Sequence, residues 1–209
     1  MEIVAFLFKT IIISLSGVMA PGAVTAATIA QGTRNRRAGA LIALGHGIVE
    51  IPLIFLLMLG LGLVFEMDPV KIVIGLLGGG FLLWMGIGML RQGSADAGAP
   101  QTTFNKGSVI TGVILSATNP YFLFWWATVG LNLAIGAKEL GITALILFAI
   151  VHWLCDLIWL SVLSVAANIT HKSAGLFGQK LQHGIRLFCS IALLVFGIKF
   201  IADALALWL

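Results

Sequence analysis

Two apolar stretches of the sequence each carry a histidine followed four residues later by a carboxylate. The pairs are His46 with Glu50 and His152 with Asp156. Residues four apart lie on one face of a helix, so each pair presents an imidazole beside a carboxyl group. Ionisable side chains at bilayer depth are costly and usually line ion or substrate paths. The two pairs, one in each half of the chain, therefore predict a polar site in a repeated architecture.

The composition is that of a polytopic membrane protein. Hydrophobic residues make up 60% and charged residues 10% of the 209 residues, and the mean hydropathy is +1.09. These values exclude an ordinary soluble domain. Stretches this long and apolar span a hydrocarbon core of about 30 Å as helices, which satisfy their own backbone groups. The predicted helices cover residues 3–31, 38–65, 69–91, 107–135, 140–168 and 184–209.

The connection at residues 92–106 divides the chain. It is rich in Gly, Ala, Ser, Thr and Pro, which is typical of a linker. We expect a three-helix repeat at residues 1–91, this cytoplasmic linker, and a second three-helix repeat at residues 107–209, together forming one transmembrane domain. Because three is odd, the second half enters the membrane in the opposite direction. The predicted fold class is an all-α polytopic membrane protein of six transmembrane helices, arranged as two inverted repeats.

The first helix of each half is expected to be broken near its middle. Pro21 and Gly22 interrupt helix one, and Asn119 and Pro120 interrupt helix four. Proline removes a backbone donor and clashes with the preceding turn. Freed amides and carbonyls survive at bilayer depth only where protein or a water-filled cavity receives them. We therefore predict a binding site at the two breaks, where a half-helix amino terminus suits an anionic group and unwound carbonyls suit cations.

The basic residues indicate the topology rather than a nucleic-acid site, because the net charge of +4 is scattered over short loops. They are concentrated after the first, third and fifth predicted helices, so the positive-inside rule places these connections in the cytoplasm and both termini outside. The two cysteines lie within predicted helices, and no disulfide framework is expected. The concentrated basic residues are Arg34, Arg36, Arg37, Arg91, Lys106, Lys172, Lys180 and Arg186.

Several motifs resemble the LysE/RhtB family of amino-acid exporters. Residues 20–22 (Ala-Pro-Gly) and 31–45, which include Gln-Gly-Thr-Arg-Asn-Arg-Arg-Ala-Gly-Ala and Ala-Leu-Gly, look like its amino-terminal signature. Asn-Pro followed by Phe-Leu-Phe-Trp, within residues 119–125, resembles its second motif. Glu50 falls where the family commonly has an acidic residue, and residues 156–159 resemble its Asp-x-x-Trp.

The chain departs from the family pattern at two positions. Ala23 stands where the family usually has a proline, and Tyr121 stands where a lysine usually follows Asn-Pro. The resemblance implies export of amino acids or similar small solutes, coupled to protons or to the membrane potential. The wider superfamily also includes divalent-metal exporters, which bears on the paired histidines and carboxylates.

Two functional hypotheses follow. In the first, a proton antiporter with alternating access exports amino acids; the helix breaks bind the substrate carboxylate, and Glu50 and Asp156 bind its ammonium group or protons. Histidine as a residue type titrates near neutral pH, which makes the two histidines candidates for relaying those protons. In the second, His46, Glu50, His152 and Asp156 are ligands in a divalent-cation transporter. Convergence of the four side chains on one point would favour the metal hypothesis. Separation of the two carboxylates across a larger cavity bounded by the breaks would favour the amino-acid hypothesis.

The remaining functional classes have little support in the sequence. No nucleophile stands with a base in a defined motif, so no enzyme activity is predicted. No cofactor is expected, and nothing in the loops indicates a docking surface for a scaffold or accessory subunit. The expected partners are a small-molecule substrate, protons and the lipid bilayer of the cell membrane. A homo-oligomer is compatible with the sequence.

Overall fold

The computed structural model describes residues 2–20, 22–61, 63–64, 67–91, 107–172 and 176–208. Over these residues the chain is helical and contains no strand. In chain order the helices are α1 (Glu2–Val18), α2 (Ala23–Gly32), α3 (Ala38–Leu56), α4 (Asp68–Arg91), α5 (Ser108–Ala117), α6 (Pro120–Trp125), α7 (Leu131–Glu139), α8 (Ile142–Lys172) and α9 (Leu176–Trp208). Five-residue π-helical turns follow α3 at Leu57–Leu61 and α6 at Trp126–Gly130.

Among the described residues, four helices are long and apolar enough to cross a membrane, at Ala38–Gly60, Asp68–Gly88, Ile142–Thr170 and Ser190–Trp208. A fifth candidate is the pair α1 and α2, which are bent by 78° across the first break. The structure therefore confirms an all-helical protein with several membrane-spanning helices. The predicted linker at residues 92–106 lies outside the described residues, and the arrangement as two inverted repeats stays a prediction.

The fourth predicted helix, residues 107–135, is divided into the short helices α5, α6 and α7. The division at Asn119 has a local cause. The Asn119 backbone is extended, with φ −87° and ψ 108°, and its side-chain oxygen accepts a hydrogen bond from the amide of Tyr121. Pro120 then occupies the first position of α6, where its missing donor is harmless. Because this region is in pieces, the count of six spans stays a prediction.

Glycines bring the central helix α3 into backbone contact with α5 and α8. A Cβ atom at Gly45 would collide with the carbonyl oxygen of Val109, and one at Gly112 with the carbonyl oxygen of Ile42. On the other side of α3, a Cβ at Gly39 would collide with a carbonyl oxygen of α8. Small residues permit such close helix packing in membranes. The hydrophobic effect does not drive helices together there, so close van der Waals contact between backbones takes its place. The core of the molecule is therefore α3 between α5 and α8.

Helices α4 and α9 form a second closely packed pair. A Cβ at Gly79 would lie 2.7 Å from the carbonyl oxygen of Gly197, and one at Gly197 would lie 2.9 Å from the carbonyl oxygen of Gly79. Gly75, Gly79 and Gly86 of α4 therefore serve helix packing, as small residues do in membrane proteins generally. Leu82 of α4 and Leu193 of α9 also reach the cavity described below.

Polar side chains of α8 hold the carboxyl end of α2. The Asn168 amide donates to the carbonyls of Gly32 (3.2 Å) and Thr33 (3.1 Å), and the Ser164 hydroxyl donates to the carbonyl of Arg36 (2.8 Å). The last carbonyls of a helix have no partner within it, so a buried helix end requires such donors. These bonds fix α2 against α8.

Asn168→Ala is expected to lower the free energy of unfolding by about 1–2 kcal/mol, because the carbonyls of Gly32 and Thr33 lose their donor in a buried position. The change is measured by thermal or denaturant unfolding of the detergent-solubilised protein. Lys199→Gln is the control, since it removes only the exposed ion pair with Asp203 and is expected to cost less than about 1 kcal/mol. Equal effects of the two substitutions would contradict the role of Asn168.

Candidate functional site

The two His/carboxylate pairs converge on one buried point between α3 and α8. The Nε2 atoms of His46 and His152 each lie 3.1 Å from Oε1 of Glu50. Oδ1 of Asp156 lies 3.7 Å from His46 Nε2, and Oδ2 lies 3.8 Å from His152 Nε2. None of the four side chains is more than 10% exposed, and that of Glu50 is 0% exposed. We call these four residues the His/acid cluster.

A glycine on α3 and a tryptophan on α8, both beside the cluster, determine which faces of the two helices pack together. A Cβ atom at Gly47 would lie 2.5 Å from Nε1 of Trp153, so only glycine leaves room for this ring. Trp153 Nε1 donates to the carbonyl of Ala43 on α3 at 3.0 Å. The i, i+4 spacing then places both ionisable residues of each helix on the faces that meet.

Each imidazole ring has one serine at Nδ1, the ring nitrogen that faces away from the carboxylates. Ser116 Oγ lies 2.6 Å from Nδ1 of His46, and Ser14 Oγ lies 2.7 Å from Nδ1 of His152. Both serines are fully buried. A partner on one ring nitrogen fixes the orientation of the ring, so the two serines direct both Nε2 atoms towards the carboxylates.

These contacts are reciprocal between the halves of the chain. Ser14 lies on α1, before the first break, and contacts the histidine of α8; Ser116 lies on α5, before the second break, and contacts the histidine of α3. Sequence analysis missed both serines because serine is common in membrane helices. A signal was present, since each is a polar residue a short distance before a break in an otherwise apolar helix.

A third nitrogen approaches Glu50, and both acids retain an oxygen without a hydrogen-bond partner among the described residues. Trp126 Nε1 donates to Glu50 Oε1 at 3.3 Å. Within the described part of the chain, Glu50 Oε2 and Asp156 Oδ2 are buried and have no hydrogen-bond partner. Buried oxygens of this kind are costly when they are charged and unpaired. The cluster is therefore electrostatically suited to a cation or to protons.

A cavity connects the cluster with both helix breaks. Its walls include Gly22 at the first break, Asn119 at the second and all four residues of the cluster. The volume open to the centres of water-sized spheres is about 80 Å³, which is room for roughly five to eight waters. Pro120 begins α6 next to this wall, whereas Pro21 lies outside the described residues.

Aromatic rings form much of the remaining wall. Tyr121 lines the cavity, and Phe122 contacts the His46 ring edge-on at a centroid distance of 4.9 Å. Trp125 is stacked on the His152 ring at 5.1 Å. No lysine or arginine is among the described residues that line the cavity. Its walls thus combine acidic and aromatic groups, a chemistry that suits cations.

Comparison with known proteins gives one match. Residues 15–204 match the family model described as LysE type translocator, which covers well over half of the chain. Among curated proteins and among solved structures, no match is found.

Proposed function

The chain belongs to the LysE type translocator family, and we propose that it exports amino acids or related small amino solutes by proton antiport. Family membership and the apolar helices make it a multi-pass membrane transporter and not an enzyme. The observation that carries the proposal is the His/acid cluster, which lies in the wall of a cavity between two helix breaks. Ionisable groups in such a place belong to substrate or ion paths in membrane proteins.

Glu50 and Asp156 receive the ammonium group of the substrate in this proposal. Both carboxylates line the cavity, and each has a buried oxygen without a hydrogen-bond donor among the described residues. The substrate carboxylate binds at the amino terminus of α2, where the first-turn amides have no partner within the helix. Gly22, Val24 and Thr25 of that terminus line the same cavity, and no side chain caps it at Gly22.

Charge balance supports exchange of the substrate for protons. With both carboxylates ionised and both imidazoles neutral, the cluster carries two negative charges in a region where unbalanced charge is costly. An ammonium group and a proton each supply one positive charge. When the substrate leaves, a proton on His46 or His152 replaces the lost charge, and each ring lies 3.1 Å from Glu50 to share it.

Alternating access requires the two halves to move against each other. We propose repeats at residues 1–91 and 107–209 that are inverted, with the basic connections in the cytoplasm and both termini outside the cell membrane. The reciprocal contacts of Ser14 with His152 and of Ser116 with His46 support this plan, because each joins one half to the other. The cluster lies at the junction, where a rocking motion changes access to it.

The test is transport in proteoliposomes that contain the purified protein. With an outward-directed gradient of a radiolabelled amino-acid mixture, efflux is expected to accelerate when the receiving side is made acidic, and a protonophore should remove the acceleration. Asp203→Asn, an exposed change on α9, should transport at the wild-type rate. No amino-acid flux in either direction, with or without a pH gradient, would overturn the proposal.

A further inference from the structure

We infer that the His/acid cluster binds one divalent transition-metal cation, for which Zn²⁺ is the best fit. This inference goes beyond amino-solute export and does not depend on it. The donor set is two imidazole nitrogens and two carboxylates, with His46, Glu50 and Asp156 offering ligand atoms within 4.8 Å of one another. Imidazole and carboxylate together suit zinc and neighbouring divalent metals rather than soft cations. Convergence on one point is also the arrangement that the sequence hypotheses associated with a metal.

Four contacts within the cluster are close in length to the edges of a tetrahedral zinc site. Zinc bonds to histidine nitrogen and carboxylate oxygen are about 2.0–2.2 Å long, which places tetrahedral ligand atoms about 3.3–3.5 Å apart. The cluster has edges of 3.1 Å from each Nε2 to Glu50 Oε1. The edges from Nε2 to Asp156 are 3.7 Å for His46 and 3.8 Å for His152. These four contacts lie within about half an ångström of the required spacing. His46, Glu50 and Asp156 form the compact part of the site. His152 completes it when its ring and the Asp156 carboxylate, which meets the two histidines through different oxygens, rotate towards the ion.

The serines supply the support that metal-binding histidines usually have. A histidine ligand offers one nitrogen to the metal and donates from the other to an outer acceptor. Here Nε2 faces the cluster in both rings, while Nδ1 faces Ser116 Oγ in His46 and Ser14 Oγ in His152. A serine hydroxyl both accepts and donates. When Nε2 binds a metal, Nδ1 carries the ring proton and donates to the serine oxygen, and the same bond is kept when Nε2 carries a proton in place of the metal.

The charge of the cluster matches a divalent cation. Two ionised carboxylates and two neutral imidazoles sum to two negative charges, which a divalent cation neutralises. Glu50 Oε2 and Asp156 Oδ2, both buried without a hydrogen-bond partner in the described residues, provide electron pairs for it. Two protons neutralise the cluster equally well, because each imidazole accepts one. One metal ion therefore replaces two protons, and the amino solute competes with the metal for the same carboxylates.

The inference is tested by titrating the detergent-purified, tag-free protein with Zn²⁺ in a calorimeter, and with Co²⁺ as a spectroscopic probe. One ion per chain is expected, with the absorption of four-coordinate Co²⁺ and release of up to two protons. Glu50→Gln and His152→Gln should each weaken binding by about 100-fold or more, and Ser14→Ala by about 10- to 100-fold. Asp203→Asn on the exposed part of α9 should leave the affinity unchanged.

Loss of ion binding is informative only in folded protein, so each variant is first checked for its unfolding temperature and monodispersity. X-ray absorption on the zinc-loaded wild type needs no variant and should show two imidazole ligands. Absence of binding to the wild type, a zinc site without imidazole, or an affinity that ignores the cluster substitutions would each overturn the inference. Amino-acid flux measured with a chelator present tests the transport proposal separately, since it does not require a bound metal.

Discussion

Glu50→Gln is expected to lower the rate of amino-acid transport by about 100-fold or more. The substitution keeps the shape of the side chain and removes its charge. Oε1 of Glu50 is the atom that both Nε2 atoms approach at 3.1 Å, in a side chain that is 0% exposed. Without this carboxylate the ammonium group of the substrate loses a buried counter-charge. Truncating one partner of a buried, hydrogen-bonded charge pair weakens binding by about 2–5 kcal/mol, and about 3 kcal/mol corresponds to about two orders of magnitude in rate. Initial rates in proteoliposomes measure it.

The same geometry predicts a graded response at the second acid. Asp156→Asn should also impair transport, but less than Glu50→Gln, because the oxygens of Asp156 lie 3.7 and 3.8 Å from the histidines and its side chain is 10% exposed. Asp203→Asn is the matched control, an acid on α9 with a 53% exposed side chain. Wild-type rates in both cluster variants, in folded protein, would remove the carboxylates from the mechanism.

The local part of the site could be predicted from the sequence. The i, i+4 spacing is enough to place His46 with Glu50 and His152 with Asp156 on shared faces, because helical periodicity acts within one element. Convergence of the two pairs required knowledge of which faces of α3 and α8 meet. The packing of Gly47 against the ring of Trp153 decides which faces meet. This is a tertiary contact that the spacing of residues along one helix does not reveal.

The ends of two helices also differ from the prediction for a physical reason. Hydropathy predicted a loop at residues 169–183, but α8 continues to Lys172 and α9 begins at Leu176. Hydropathy measures what the bilayer accepts, whereas Gln, Lys and Leu favour the helix in water as well. The helices therefore continue beyond the ends that hydropathy alone sets. The break at Asn119, by contrast, was predictable because proline and asparagine act locally.

Gly112→Val is expected to lower the free energy of unfolding by about 3 kcal/mol or more. A Cβ atom at this position would collide with the carbonyl oxygen of Ile42 and lie 3.0 Å from the backbone nitrogen of His46. These are backbone atoms in the middle of α3, so relief requires separation of α3 from α5. Unfolding in detergent, followed by tryptophan fluorescence, measures the loss. Gly80→Val is the control, because a Cβ there has no atom within 4 Å.

The effect of Gly112→Val should reach the cluster as well as the fold. Ser116 lies one helical turn after Gly112, so separation of the helices lengthens its 2.6 Å contact with Nδ1 of His46. We therefore expect the surviving folded fraction to transport more slowly per molecule than Asn168→Ala protein, whose substitution lies at the α2–α8 contact instead. Equal transport per folded molecule in the two variants would show that the spacing of α3 and α5 does not control the cluster.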